Sequence, residues 1–351
     1  MNKKKVMVGM SGGVDSSAAA LILLEQGYDV YGATMRLIPQ SDDELDKTAE
    51  IDAKKVCDQL GIKHYVFDMR EEFKKYVVDY FVEEYINART PNPCIACNKH
   101  LKFGLMLERA LEMGMDYIAT GHYARIEHKD GEYKLKMSDA QNKDQSYVLY
   151  NLNQFILSHT LMPLGDYTKE EIRQKCIDNE ICVANKSESM EICFVKDDDY
   201  VRFIKEYSGY NSIPGKIYDT KGNEIGIHNG LINYTIGQRK GIGAYGRPMF
   251  VLKIDGENNS LILGEKGMEF SSVIYADGVN YLSGQIPKEE FSLEVKIRYQ
   301  AKPAEATIVP QEDNSVKILL KTPQRAITPG QSVVFYDGDY VVGGGIVRDF
   351  E

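Results

Sequence analysis

One stretch near the start of the chain limits the fold more than any other: Val6-Met7-Val8-Gly9-Met10-Ser11-Gly12-Gly13-Val14-Asp15-Ser16-Ser17. Residues 6–10 read as a short buried strand. Val14, Ala18, Leu21 and Ile22 recur at helical spacing, so a helix begins near Asp15. A strand, a small hydroxyl-rich turn and a helix make an anion cradle. Gly12 and Gly13 let the backbone bend and approach a ligand. Unpaired N–H groups at the helix start, together with the helix dipole, face an incoming anion. Ser11, Ser16 and Ser17 add hydroxyl donors, and Asp15 is a carboxylate able to hold Mg²⁺ against phosphate oxygens.

Two familiar phosphate loops do not fit. The stretch has no Lys-Ser/Thr pair, which excludes the common ATPase P-loop, and its glycine spacing is not G-x-G-x-x-G. Ser-Gly-Gly-x-Asp-Ser instead resembles the loop of the N-type ATP pyrophosphatases. The resemblance implies binding of the ATP pyrophosphate, transfer of AMP to a substrate oxygen and release of PPi.

The remainder of the first ~200 residues alternates strand and helix. Strands are expected at 30–35, 64–68 and 117–120, and helices at 48–60, 71–88 and 168–180, the last opened by the capping box Thr168-x-x-Glu171. That alternation predicts an α/β fold with a parallel sheet covered on both faces, and ligands sit beyond the carboxyl ends of such strands. After about residue 205, Gly and Pro become frequent and short strands are expected at 216–218, 250–254 and 261–263. Further alternating runs at 293–299, 306–308, 316–320, 332–336 and 340–347 predict a small antiparallel β-barrel or sandwich. The expected organisation is therefore a catalytic domain over 1–205, a small central domain over 206–272 and a C-terminal β domain over 273–351.

Composition narrows the class. Hydrophobic residues make up 43% and charged residues 27% of 351 positions, the proportions of a globular chain. The longest apolar run, 18–24, is too short to span a bilayer. Lys3-Lys4-Lys5 leads into a strand and not into an apolar signal region, so the expected location is the cytoplasm with no membrane partner. The net charge of −10 predicts no broad basic face, so any RNA contact relies on local patches.

The cysteines carry the second chemical signal. Thr90-Pro91-Asn92-Pro93-Cys94-Ile95-Ala96-Cys97-Asn98 places a C-x-x-C pair at the entry to a helix, with Lys99, His100 and Lys102 close by. That setting predicts a lowered thiol pKa at Cys97. Cys193 follows the loop Ser187-Glu188-Ser189-Met190-Glu191-Ile192. Cys57, Cys176 and Cys182 stand in apolar contexts and read as buried hydrophobes. C-x-x-C fits a zinc half-site, a redox pair, a cluster ligand pair or a nucleophile with its neighbour. An adenylating loop beside reactive thiols favours one chemistry: activation of an oxygen with AMP, then displacement by sulfur. A zinc-holding RNA-binding protein would leave the loop unexplained, and an amidating ligase would need no paired thiols.

The chain resembles the tRNA-specific 2-thiouridylases of MnmA type along essentially its whole length. The matching stretches are 9–17, 89–104, 119–124, 143–152, 192–195, 233–241, 296–299, 329–336 and 343–346. The resemblance implies a PP-loop domain, a central domain and a C-terminal β-barrel. It implies ATP-dependent adenylation of the C2 oxygen of the wobble uridine in tRNAs for Lys, Glu and Gln, followed by replacement with a persulfide sulfur. Residue by residue, Gly9, Met10, Ser11, Gly12, Gly13, Val14, Asp15 and Ser16 correspond to the ATP cradle, with Met35 and Gly121 as further nucleotide contacts. Cys193 resembles the persulfide-bearing cysteine, and Cys97 the second cysteine that closes a disulfide with it. Asn92, Pro93, Cys94, His122, Lys143, Asp144, Gln145, Arg298, Tyr299 and Gln331 match tRNA contacts around the anticodon loop. A cysteine desulfurase or sulfur-relay protein is the implied sulfur donor. One departure stands out: many members have Asp where this chain has Cys94. Three thiols, Cys94, Cys97 and Cys193, would suit three irons of a [4Fe-4S] cluster, an alternative to the persulfide route.

Overall fold

The computed structural model describes residues 3–38, 44–140, 143–187 and 192–351. The first sheet contains β1 (Lys5–Gly9), β2 (Asp29–Arg36), β3 (Lys63–Asp68) and β4 (Tyr117–Ala119). A hairpin of β5 (Ala124–Lys129) and β6 (Glu132–Met137) follows, and then the short β7 (Thr160–Leu161). Strand order is β3-β2-β1-β4-β7, with all neighbours parallel. β1 is central, and its Val6, Met7 and Val8 are wholly buried, as expected for a strand covered on both faces. The chain order reverses across β1, where β2 leaves to one side and β4 to the other. That reversal opens a crevice at the carboxyl ends.

Helix α1 (Val14–Glu25) follows β1 and is apolar nearly all round. It packs between α2 (Glu44–Leu60) on one flank and the helix Lys169–Asp178 on the other. The expected helix over 71–88 spans 70–86 and includes a π-helical segment, Lys74–Asp79. The cysteine helix runs over 93–112. It comprises Pro93–Cys97, a π-helical segment Asn98–Leu105, and Met106–Glu112. The expected capping box holds: Thr168 Oγ1 accepts from Glu171 N, and the Glu171 carboxylate accepts from Thr168 N.

The middle of the chain forms a four-stranded sheet of β8 (Gly215–Asp219), β9 (Glu224–His228), β10 (Met249–Asp255) and β11 (Ser260–Glu265), in the order β10-β11-β8-β9. β9 was not expected from the sequence; its Ile227 is 71% exposed, so it lacks a clear apolar face. The last part is a closed antiparallel barrel. β12 (Phe270–Tyr281) pairs with β15 (Val316–Arg325), and then β14 (Ala304–Pro310), β13 (Phe291–Lys296), β16 (Ser332–Asp337) and β17 (Tyr340–Phe350) follow. β17 returns to β12 and closes the ring. Its core contains Ile274, Val295, Ile308, Ile318, Val333 and Phe335.

The hairpin β5/β6 belongs to the barrel's sheet. β6 pairs antiparallel with β17 through Tyr340↔Lys136 and Val341↔Leu135. Met137 N donates to Asp339 O at 2.8 Å, and Tyr340 OH donates to Glu127 at 2.8 Å. The barrel also touches the cysteine segment: Thr90 N donates to Pro329 O at 2.9 Å. No helix among the described residues is long and apolar enough to cross a membrane.

Candidate active site

The turn after β1 is built as a concave anion cradle. Gly12 lies at φ +69°, and a Cβ there would sit 2.4 Å from the Ala49 carbonyl oxygen, so only glycine fits. Gly13 is the extended residue before α1. Ser17 Oγ donates to Gly13 O at 2.8 Å, and Ser16 Oγ lies 3.2 Å from Ser11 Oγ. Met10 N donates to Ala33 O at 2.8 Å, tying the turn to β2. Lys186 Nζ reaches in from a distant loop and donates to Gly12 O and to Asp52, each at 3.0 Å.

Asp15 stands at the head of α1 with two partners that the sequence did not reveal. Asp15 Oδ1 accepts from Lys169 Nζ at 2.6 Å and from Tyr123 OH at 2.8 Å. Lys169 is the first helical residue after the Thr168 cap, a position fixed by tertiary packing, so no local signal marks it. At the end of β4, Gly121 presses directly on α1. A Cβ there would meet the Asp15 carbonyl carbon at 2.8 Å and Ser16 N at 2.9 Å. The glycine thus lets the strand end close against the head of the helix.

His122 follows and is buried. Its Nδ1 lies 2.7 Å from Thr120 Oγ1, and its ring packs near Phe103. Burial, followed by the charge of Lys102, holds its pKa well below the usual histidine range, so the ring is neutral at pH 7.

The cysteine helix begins at a well-made cap. Asn92 Oδ1 accepts from Cys94 N at 3.1 Å and Ile95 N at 3.4 Å, and Pro93 occupies the first helical position. Cys94 is exposed and Cys97 is 8% exposed. The expectation of a lowered thiol pKa at Cys97 is not met. Cys97 sits one turn inside the helix, away from its N–H groups, and burial pushes the thiol up while Lys102 opposes. His100 is stacked on Tyr76, and burial lowers its pKa, so it adds no charge.

Cys193 opens to the same space. Phe194 beside it is held by Phe73, Phe81 and Phe203 at 5.3–5.6 Å. The surrounding protein, then the Cys97 and Cys94 sulfurs, push the Cys193 thiol up to about 12. Of the other cysteines, Cys57 and Cys176 are buried as expected, whereas Cys182 is exposed.

One cavity of about 500 Å³ gathers these groups. Gly9, Met10, Ser11, Asp15, Ser16, Met35 and Gly121 line one part, and Pro93, Cys94, Cys97, His122, Gln145 and Cys193 line another. Its size is that of a small-molecule site. Gly12 and Gly13 shape the turn from behind, and Val14 points into the core.

Of the other expected residues, Gln145 lines the cavity and the rest lie outside its lining. Asp144 is buried. It accepts from Ser138 N at 3.1 Å, Ser146 N at 3.2 Å and Ser146 Oγ at 2.8 Å, so it serves the loop's own structure. Lys143 begins the same loop, and its N–H donates to Ala140 O. Gln145 pairs with Tyr123 through both backbone and side chain. Arg298 and Tyr299 are exposed on the barrel, with Tyr299 edge-on to Tyr147 at 6.2 Å. Gln331 Nε2 donates to Thr90 O at 2.8 Å and Pro91 O at 3.4 Å, bracing the cysteine segment.

The donor sets for metals differ. Asp15 presents a carboxylate beside the phosphate-type turn, which suits Mg²⁺, an ion that needs only one or two protein carboxylates when phosphates supply the rest. Among the described residues no three His, Cys, Asp or Glu side chains converge as a metal-binding group. As placed, Cys94, Cys97 and Cys193 line one cavity without forming such a three-ligand group.

Three family descriptions match the chain in order. They are the "tRNA methyl transferase HUP domain" over 4–197, the "tRNA methyl transferase PRC-barrel domain" over 201–265 and the "Aminomethyltransferase beta-barrel domain" over 271–347. The fold and pocket are thus those of a tRNA-modifying enzyme with a parallel-sheet catalytic domain and two β domains. A protein of Acetivibrio thermocellus named tRNA-specific 2-thiouridylase MnmA is 53% identical, covering 99% of this chain and 100% of its own length. Proteins of the same name from Clostridioides difficile and Halothermothrix orenii are 50% and 48% identical, each covering 98% of this chain. The chain belongs to the MnmA-type tRNA-specific 2-thiouridylases, a family of tRNA-uridine 2-sulfurtransferases.

Proposed function

We propose that this enzyme activates C2 of the wobble uridine in tRNAs for Lys, Glu and Gln with ATP and replaces its oxygen by sulfur. The products are 2-thiouridine, AMP and PPi. The observation that carries the reading is the single cavity in which the Ser11–Ser16 turn, Cys97 and Cys193 meet.

ATP phosphates lie on the turn and the head of α1, with Met35 and Gly121 beside the nucleoside. Asp15 would hold Mg²⁺, whose charge would offset that of the phosphates. A base from an anticodon loop, already partly unstacked, enters the cavity. Its O2 attacks the α-phosphorus and PPi leaves. The outer sulfur of a persulfide on Cys193 attacks C2, and AMP leaves with the former O2. Cys97 gives up its proton and attacks the Cys193 sulfur. The bond between that sulfur and the transferred one breaks, and its electron pair stays with the sulfur on C2. A thiol reductant then reopens the Cys97–Cys193 disulfide. Neutral His122 lies beside this path as a hydrogen-bonding group whose partner Thr120 fixes its ring.

Arg298 and Tyr299 lie on the exposed face of the barrel and Lys143 in the loop beside β6, positions suited to RNA contact. The sulfur comes from a cysteine desulfurase or a relay protein, in the cytoplasm. The test is incubation with tRNA, ATP, Mg²⁺ and a desulfurase with cysteine, followed by nucleoside mass spectrometry. Cys193→Ser and Cys97→Ser lose 2-thiouridine by about a thousandfold or more. Full turnover by either variant, or a uridine gaining a methyl group in place of sulfur, would overturn the reading.

A further inference from the structure

The pocket holds four charged side chains: Asp15, Arg36, Glu50 and Lys102. Three of them are neutralised within the protein. Asp15 is paired with Lys169 at 2.6 Å, and Arg36 with Glu50 at 2.8 Å. Lys102 has no ion pair or hydrogen bond to its ammonium among the described residues. Of the lining groups near it, Cys97 and Cys193 have thiols pushed up by burial and His122 is neutral, so none of these three offers it a negative charge at rest. A half-buried cation without a counter-ion is costly unless an anion arrives during function.

The helix is deformed in a way that puts Lys102 there. In an α-helix, residues five apart point roughly 140° away from each other. Asn98–Leu105 is instead wound as a π-helix, and Met106 N donates to Leu101 O, five residues back. The wider turn brings positions five apart toward one side, so Lys102 shares the pocket with Cys97. Gly104 accommodates the wide turn: a Cβ there would already be 3.0 Å from Lys99 O, again five residues back.

We propose that Lys102 is the electrostatic partner of the sulfur-transfer step, holding the anionic sulfur that forms as Cys97 attacks Cys193. The inference rests on the sulfur-transfer reading above. The step itself is the one already written: the Cys97 proton leaves, a Cys97–Cys193 bond forms, and the bond to the transferred sulfur breaks. Lys102 exchanges no atoms. It stabilises negative charge first on Cys97 and then on the departing sulfur. Its influence on both thiols and on His122 is consistent with a position between them.

The test compares Lys102→Met and Lys102→Arg, with three readouts on each. They are PPi release on tRNA addition, persulfide loading of Cys193 by a desulfurase, and 2-thiouridine formation. Lys102→Met keeps PPi release and persulfide loading within about twofold, and loses 2-thiouridine formation by about a hundredfold. Lys102→Arg restores product to within about tenfold, because it keeps the charge. If Lys102→Met loses PPi release in parallel with product, Lys102 binds nucleotide phosphate and the proposal is overturned. Normal product formation in Lys102→Met also overturns it. Failure of the sulfur-transfer reading itself is seen separately, as full thiolation by Cys97→Ser in the presence of an intact Lys102.

Discussion

Substituting Gly121 by Ala puts one methyl group where the end of β4 meets the head of α1. The new carbon would lie 2.8 Å from the Asp15 carbonyl carbon and 2.9 Å from Ser16 N, whereas ordinary contacts begin at 3.4 Å. The two elements must separate by about 0.6 Å, and both neighbours are backbone, so no side-chain rotation relieves the clash. Overpacking of this kind costs about 1–3 kcal/mol. In a domain of this size that lowers the melting temperature by about 2–4 °C for each kcal/mol. The functional effect is larger. Asp15 and Ser16 belong to the anion cradle, and a displacement near 1 Å in a reacting geometry costs on the order of a hundredfold. PPi release in the presence of tRNA should fall by about tenfold or more, with a raised KM for ATP. Gly256→Ala is the control: its Cβ meets Ala88 Cβ at 3.4 Å and Asn87 O at 3.9 Å, both ordinary contacts, and its melting temperature and kinetics should stay at the parent values. Wild-type ATP kinetics and an unchanged melting temperature in Gly121→Ala would refute the reasoning.

Four other outcomes are expected. Gln331→Ala removes two hydrogen bonds to the Thr90–Pro91 carbonyls, worth about 1 kcal/mol each. Thiolation turnover should drop several-fold at unchanged KM for ATP, and a rise in tRNA KM alone would mean direct RNA contact instead. Because the Cys193 thiol is pushed up to about 12, it is protonated at pH 7. Its alkylation in the resting enzyme should be slow at pH 7 and accelerate as pH rises, followed by peptide mass spectrometry; rapid labelling at pH 7 would contradict this. Asp144→Asn replaces an acceptor of three bonds by a group that must also donate, which should destabilise by about 1–3 kcal/mol in thermal melts. Protein purified without oxygen should thiolate tRNA without bound iron, and activity that tracks iron content would favour the cluster route.

The parallel sheet, the anion cradle and the barrel texture were legible because each rests on local pattern: buried runs, turn glycines and alternation. The cysteine pair was legible as chemistry but not as electrostatics. Cys97 looked like a helix-start thiolate because the sequence cannot show that the helix begins at Pro93 and that the second turn is buried. Lys169 and Lys186, which grip Asp15 and Gly12, were invisible because their partners lie more than 150 residues away. Asp144 and Gln331 were found by resemblance, yet the structure gives each internal partners that no periodicity encodes. The hairpin β5/β6 escaped notice because its strands alternate with charged residues and face another domain's edge.

That hairpin has a mechanical consequence. A barrel stitched to the catalytic domain by a strand ladder at Leu135–Lys136, and braced at Thr90–Pro91 by Gln331, is not a swinging arm. When a large RNA leans on the barrel's outer wall, the load passes by a short rigid route into the segment that carries Cys94 and Cys97. Cutting the chain before β12 would leave β6 with a raw edge and the cysteine helix without its abutment, so the first half should lose its shape at the thiols before it loses its nucleotide cradle.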